Sequence, residues 1–274
     1  MDINQARRER VAYADRFPVI RRMREARYER RFLAHDSLLE NLYRGVFPSW
    51  AAAAASVPPT RATGYDNSAS AALYRDRTRR VFLYDYPVML WLARLFAEGS
   101  RSVFDLGGHI GIAYYAYQRY VDYPEGLRWQ VHDVPAVNAA GAAWAEQHDA
   151  PRRLAFTERA ADAGQADILF AAGSLQYLDY TLAGLLADLP RRPAHLLLNS
   201  VPIHMAESYF TVQNMGTTCC PYRISAEREF VDGLKALGYQ LRDRWENPDR
   251  RCRIPFHPGH SLDRYFGFLF SREA

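Results

Sequence analysis

The chain has 274 residues, of which 49% are hydrophobic and 14% aromatic, and a formal net charge of +4. That length buries a substantial core in one large domain, or one domain with an appendage, and the composition excludes a chain dominated by disorder. The charge is modest and almost wholly arginine on its positive side, since Lys235 is the only lysine.

Residues 1 to about 46 read as helical, with Pro18 an interruption and an end near Gly45 and Pro48. Arginines crowd the stretch from Arg7 to Arg31, interleaved with Asp15, Glu25 and Glu29. Such a run can be a nucleic-acid footprint. Val11, Ala14, Ile20, Met23 and Phe32 instead mark one packed apolar face, so the reading adopted is a solvated amphipathic helix. From Ser49 to Asn67 an alanine run, Pro58, Pro59 and Gly64 suit a loop or short helix. The pattern turns helical again over 79–98 and closes at Gly99. This divides the chain into an N-terminal helical and lid region, 1–78, and a main domain, 79–274. No signal-peptide core follows MDINQARRER, and the apolar run from Val88 to Phe96 is broken by Arg94 and too short to span a bilayer, so the chain is read as soluble and cytoplasmic.

Beyond Ser100 strands and helices alternate, as a parallel sheet with crossover helices requires. Strands are predicted at 102–106, 128–133, 153–157, 166–172 and 194–200, and helices at 111–121, 135–148, 179–189 and 225–237, with Asp179 and Ser225 as N-caps. Two further strands, 239–246 and 263–271, flank a loop around Pro255, Pro258 and Gly259. The plan is five parallel strands with a closing antiparallel pair.

The segment SVFDLGGHIG, Ser102 to Gly111, is the most informative: strand, tight glycine turn, then helix. In a doubly wound sheet ligands sit beyond the carboxyl ends of the strands at the topological switch point. That rule selects Asp105, the Gly107 to Gly111 turn, and Asp133 at the end of the next strand, whose two acceptor oxygens suit the hydroxyls of an adenosine ribose.

DLGGHIG, HD at 132–133, DVPAV at 133–137 and AAGSLQYLD at 171–179 resemble the motifs of class I S-adenosylmethionine-dependent methyltransferases. SWAAA and TGYDN between Ser49 and Asn67, YFTVQN at 209–214 and CPYRI at 220–224 are similar to an uncharacterised family of bacterial methyltransferases. The resemblance implies an α/β fold, a Rossmann-like seven-stranded methyltransferase sheet with an N-terminal helical extension. It implies S-adenosylmethionine as cofactor, bound by Asp105, Gly107, Gly108, His109, Gly111, Asp133, Val134, Ser174 and Leu175. His109 departs from the pattern, standing where many relatives have the middle glycine. A nicotinamide dehydrogenase is disfavoured: a pyrophosphate needs a GxGxxG turn at a helix N-terminus, whereas the carboxylate of Asp105 repels a pyrophosphate and tolerates a sulfonium.

Methyl transfer is an in-line displacement that asks mainly for alignment and exclusion of water. Candidate catalytic residues are Glu207, Tyr177 and His204. Glu207, near tyrosines, suits a cationic guanidinium or ammonium and can take a proton, and His204 suits a hydroxyl acceptor as general base. Candidate substrate-binding residues are Tyr65, Gln176, Asn199, Tyr209, Gln213, Asn214 and Tyr222, with Tyr65 and Tyr74 as a lid. The expected acceptor is a small polar molecule in specialised metabolism, leaning to N-methylation of an amine or guanidine such as an arginine-like amino acid. The alternative is O-methylation of a sugar or polysaccharide precursor. An RNA-binding protein or RNA methyltransferase using the basic helices, and a non-catalytic dimerising relative, are the other classes weighed. Three cysteines, with Cys219 and Cys220 adjacent, make neither a disulfide framework nor a zinc spacing, and fit a reducing compartment. His257 and His260 lack partners at metal spacing, so no metal is expected. The tyrosines Tyr114, Tyr115, Tyr117 and Tyr120 read as packing, and apolar faces on the first helices suggest a homodimer.

Overall fold

The computed structural model describes residues 17–37, 40–58, 62–64, 66 and 75–272. Its main sheet contains β3 (Ser102–Leu106), β4 (Arg128–His132), β5 (Leu154–Thr157), β6 (Ile168–Ala172), β7 (His195–Val201), β11 (Tyr239–Asn247) and β12 (Tyr265–Arg272). The strand order is β11-β12-β7-β6-β3-β4-β5. Strands β3 to β7 are mutually parallel, and β12 runs against both of its neighbours. This is the Rossmann-like seven-stranded sheet that the sequence implies, five parallel strands closed by an antiparallel pair, and all seven strands lie within three residues of their predicted ends.

The central strands are mainly apolar on both sides because both faces are covered. Successive side chains go to opposite sides. Val103, Ile168, Phe170 and Leu197 pack on one face with helices α3 (Tyr86–Ala97) and α4 (Ile112–Tyr117). Phe104, Leu106, Leu169, Leu196 and Leu198 pack on the other with α6 (Leu182–Asp188) and α7 (Glu227–Lys235). The remaining crossover helix, α5 (Pro135–His148), has the predicted bounds and starts with proline, which needs no N–H in the first turn.

Several local readings are corrected. The chain is not helical up to residue 46: α1 (Pro18–Ala34) ends early, and LYRGVF forms β1 (Leu42–Phe47). Gly45, with φ of +71°, lies where the register of β1 shifts between Arg44 and Phe47, a bulge that favours glycine. The expected apolar face of the first helix packs only at Phe32, since Ile20 and Met23 are exposed; Val11 and Ala14, like Tyr65 and Tyr74, lie outside the described residues. The segment 79–98 is helical only from Tyr86, because 3-10 turns at Arg75–Arg79 and Leu83–Asp85 precede Pro87. The N-caps are Thr181, whose Oγ1 accepts from the Gly184 N–H, and Ala226, in place of Asp179 and Ser225.

The largest departure is a second sheet. Residues between β7 and α7 form β8 (Ile203–His204), β9 (Tyr209–Asn214) and β10 (Thr218–Ala226). The β9-β10 hairpin pairs with β1 on one side and with β2 (Ala62–Thr63) on the other. Helix α2 (Trp50–Ala55), capped by the Ser49 hydroxyl, packs against it. Pro221 is tolerated inside β10 because β2 covers only Thr218 and Cys219, leaving β10 an outer strand there. Buried Asn214 ties the pieces together: its Nδ2 donates to the Phe32 carbonyl at 2.7 Å and its Oδ1 accepts from the Gly216 N–H at 2.8 Å. No helix among the described residues is long and apolar enough to cross a membrane.

Replacing Asn214 removes two side-chain hydrogen bonds to buried backbone groups, each with a net worth of about 0.5–1.5 kcal/mol. Asn214→Ala therefore lowers the unfolding free energy by that order in urea titrations, with an unchanged main-sheet signature in far-ultraviolet circular dichroism.

Candidate functional site

Strand β3 is the switch point: the chain proceeds to β4 and β5 on one side and to β6 and β7 on the other. At about 4.8 Å per strand, the carboxyl ends from β5 to β7 span about 19 Å. A cavity of about 850 Å³ opens along this edge. That is near the upper end of the roughly 300–1,000 Å³ typical of ligand pockets, room for two small molecules.

Its floor is the turn after β3. Gly107 has φ of +75° and His109 φ of +57°, so the chain reverses through left-handed backbone. A Cβ at Gly107 would lie 2.3 Å from Ser174 Cβ, and one at Gly108 would lie 2.4 Å from Asp105 Cγ. These two glycines thus let the turn close on the end of β6 and on the carboxyl beneath it. Histidine at 109 is among the residues that tolerate this region, and the conformation aims its N–H at Asp133 Oδ2, 2.9 Å away. Asp133 Oδ1 accepts from the Val134 N–H at 2.8 Å. Each carboxylate oxygen keeps a further lone pair for a ligand. Burial raises the Asp133 carboxyl, opposed by these two N–H bonds and by His109 and His132.

Asp105 is fully buried, its Oδ2 accepting from Trp129 Nε1 at 3.0 Å. Burial pushes its carboxyl up to about 7, beyond what the Trp129 bond restores, and Asp133 adds to the rise.

The opposite end of the cavity comes from segments that the sequence reading did not select. Phe82 and Tyr84 stack at 5.3 Å and 4° ahead of α3. Asp85 Oδ2 accepts from the Phe82 N–H at 2.8 Å, and Oδ1 from Tyr117 Oη at 3.0 Å. Arg77, Arg80 and Arg250 also line this end. The aromatic and proline content of FLYDYP was the available signal for the first group; Arg250, in a loop after β11, had none. The second sheet forms the roof, with Trp50, Ala54, Cys220 and Pro221 facing in.

Of the residues selected from sequence, Asp105, Gly107, Gly108, His109, Asp133, Val134, Ser174, Tyr177 and Asn199 line this cavity. Gly111 packs beneath it against Leu154. Leu175 and Gln176 line a separate pocket with Tyr180 and Arg223. The Asn199 amide is engaged by the protein: Nδ2 donates to the Tyr84 carbonyl at 3.1 Å, and Oδ1 accepts from Trp245 Nε1 at 3.3 Å.

The remaining candidates sit elsewhere. Tyr209, Gln213, Asn214 and Tyr222 are buried in the second sheet. There Gln213 Oε1 accepts from Tyr177 Oη at 2.7 Å and its Nε2 donates to Tyr43 Oη at 3.0 Å, so Gln213 orients Tyr177 from behind. Tyr222 and Tyr265 share a hydroxyl hydrogen bond of 2.7 Å. Glu207 is exposed, 3.2 Å from His260 Nε2, and does not line the cavity. His204 Nε2 lies 2.9 Å from the Gly259 carbonyl, a loop contact on the same surface. Among the described residues no group of three or more His, Cys, Asp or Glu side chains is placed to hold a metal ion.

No family model and no curated protein matches the chain. Among solved structures it is similar to the 1,6-didemethyltoxoflavin-N1-methyltransferase of Burkholderia thailandensis, solved with 1,6-didemethyltoxoflavin and S-adenosylhomocysteine bound, at a TM-score of 0.45 and 16% identity over 70% of this chain and 79% of that one. It is similar to an O-methyltransferase family protein of the same organism, at a TM-score of 0.43 and 19% identity over 69% of this chain, and spans only 56% of that protein. It is also similar to the magnesium protoporphyrin IX methyltransferase of Synechocystis with S-adenosylmethionine bound, at a TM-score of 0.45 and 13% identity over 74% of this chain and 92% of that one.

Two outcomes follow from the turn. Gly107→Ala places a Cβ in left-handed backbone, at about 1–2 kcal/mol, and against Ser174, so its unfolding free energy falls by at least that amount. For Asp105, a folded-state value near 7 lies above that of the unfolded chain, about 3.9, so the folded state holds the proton over the interval between them. Stability is then lost as pH rises through that window, by on the order of a few kcal/mol. Asp105→Asn does not titrate, so its melting temperature relative to the parent protein rises between pH 4.5 and pH 8. A difference that stays flat with pH contradicts the assignment.

Proposed function

We propose that this protein is an S-adenosylmethionine-dependent methyltransferase acting on a small polar molecule. The observation that carries the reading is Asp133, at the end of β4 beside the Gly107–Gly108 turn, with each oxygen held by one backbone N–H and each keeping a lone pair for a ribose hydroxyl. The glycine turn, which leaves no room for a Cβ at 107 or 108, supports the fit by exposing backbone where a cofactor would approach. Asp105, Gly107, Gly108, His109, Asp133, Val134 and Ser174 would hold S-adenosylmethionine. When bound, that cofactor supplies an electrophilic methyl group on a sulfonium.

The chain's own part is alignment and exclusion of water. The second sheet closes the cavity from above, and the ends of β6 and β7 present Tyr177 and Ser200 beside it. Tyr177 lines the cavity with its Oη fixed by donation to Gln213 at 2.7 Å, which places the hydroxyl where it can orient an acceptor hydroxyl. N-methylation of an amine or guanidine rested on Glu207, and that carboxylate lies outside the cavity. With that support withdrawn, the reading taken is O-methylation, with Tyr177 orienting the hydroxyl. A small acceptor rather than nucleic acid fits a cavity roofed by a sheet. Exposed Val19, Ile20 and Met23 on α1 support a homodimer, to be checked by light scattering.

Isothermal titration with S-adenosylhomocysteine tests the reading: the parent protein binds it, and Asp133→Ala weakens binding roughly a hundredfold, the scale of a charge-assisted hydrogen bond worth about 1.5–3 kcal/mol. No binding by the parent protein removes the proposal. Mass-spectrometric screening of polar metabolites for addition of one methyl group then identifies the acceptor.

A further inference from the structure

The two ends of the cavity carry opposite charge. Asp105 sits at the carboxyl end of β3, and Asp133 and Glu158 follow β4 and β5, whereas Arg77, Arg80 and Arg250 face the far end. The arginines are arranged around rings: the guanidinium carbons of Arg77 and Arg80 each lie 5.8 Å from the Phe82 ring centre, and that of Arg250 lies 5.6 Å from the ring of Tyr84, on which Phe82 stacks.

Arg250 is the unusual member. It is held at the end of β11 by its N–H, which donates to the Asn247 carbonyl at 3.2 Å, and Asn247 is itself fully buried beside Asn199. Its Nη2 comes within 3.6 Å of the position a Cβ at Gly173 would occupy, so the guanidinium lies over the carboxyl end of β6. Its Nε is buried with no hydrogen-bond partner. No ion pair involves this guanidinium among the described residues. The acidic group facing it is Asp85, whose oxygens already accept from Phe82, Tyr117 and Asn199. A guanidinium is always charged and presents five donors in a planar fork. Leaving it half-buried with no ion pair and with Nε unpartnered is costly, and a ligand carboxylate offsets that cost through paired charge-assisted bonds.

We infer that Arg250, with the Tyr84–Phe82 stack beside it, is a specificity site for a planar acceptor bearing a carboxylate. The inference rests on the methyltransferase reading and names its substrate class: an aromatic or similarly flat molecule whose carboxylate meets Arg250 and whose face lies along the stack, with its hydroxyl toward Tyr177.

The test uses the full chain saturated with S-adenosylhomocysteine. Benzoate, 4-hydroxybenzoate, 4-hydroxyphenylacetate and 4-hydroxycinnamate are titrated in parallel with the corresponding amides. At least one acid is expected to bind ten or more times as tightly as its amide. In Arg250→Gln that preference falls to about one, whereas affinity for S-adenosylhomocysteine stays within twofold, which also reports that the variant is folded. Arg250→Lys keeps part of the preference. Equal binding of every acid and amide, or failure of all four acids to bind, overturns the inference and leaves the cofactor reading standing. A loss of S-adenosylhomocysteine binding in a folded Arg250→Gln variant overturns it differently, assigning the guanidinium to the cofactor's own carboxylate. S-adenosylhomocysteine failing to bind the parent protein overturns the methyltransferase reading first, and this inference with it.

Discussion

The turn from β3 into α4 depends on close approach with no side chain in the way. Gly107 closes on Ser174 and Gly108 on Asp105, while the left-handed backbone at His109 sends its N–H to Asp133. One reversal thereby ties the ends of β3, β4 and β6 together. Because those strands flank the switch point, the same reversal determines where the sheet can receive a ligand. The buried Asp105 carboxyl is the cost of this arrangement, and a cationic ligand would relieve it.

The second sheet changes what the main sheet can do. An open crevice above parallel strands admits large ligands, whereas here the β9-β10 hairpin and the strands on either side of it form a roof. The roof is built from two distant parts of the chain, β1 and β2 before the main sheet and the hairpin between β7 and β11. Its interior mixes apolar rings with buried polar side chains that are hydrogen-bonded. Thr211, Gln213, Asn214 and Thr218 are all buried, and each has a hydrogen-bond partner in the protein. Buried hydrogen bonds of this kind, each to a defined partner, help to specify one packing arrangement.

That same network explains what was legible in the sequence. The central strands show as short apolar runs, ILFAA and the LLL of HLLLNSV among them, because both of their faces are covered, and their ends were read to within a few residues. YFTVQN and TCCPYRISA hide their strand character, since buried polar side chains and Pro221 erase the alternation a half-exposed strand displays. LYRGVF was obscured by an adjoining helix and by the glycine at its bulge. In the site, Asp105, the glycine turn and Asp133 were legible because they are contiguous with one strand end or one strand away from it. Tyr84, Asp85 and Arg250 were not, because only the topology places the segment before β3 and the loop after β11 beside the ends of β6 and β7. Glu207 and His204 were drawn toward the site by sequence proximity to β7, yet β8 carries them to the surface.

The two ends of the cavity are mechanically joined despite their opposite charge. Helix α4 starts at the Gly111 cap of the cofactor turn and ends at Tyr117, whose hydroxyl donates to Asp85 at 3.0 Å. Asp85 in turn accepts from the Phe82 N–H at 2.8 Å, and Asn199 of β7 donates to the Tyr84 carbonyl at 3.1 Å. The ring stack that flanks the arginines is therefore suspended between the helix leaving the glycine turn and the strand end beside β6. Helix α4 is short and its tyrosines are buried, so it cannot shift without disturbing Asp85. The glycine turn and Tyr84 are thus joined by a continuous chain of contacts through α4, Tyr117 and Asp85. One hydrogen-bonded block therefore holds both ends of the cavity over a single sheet edge.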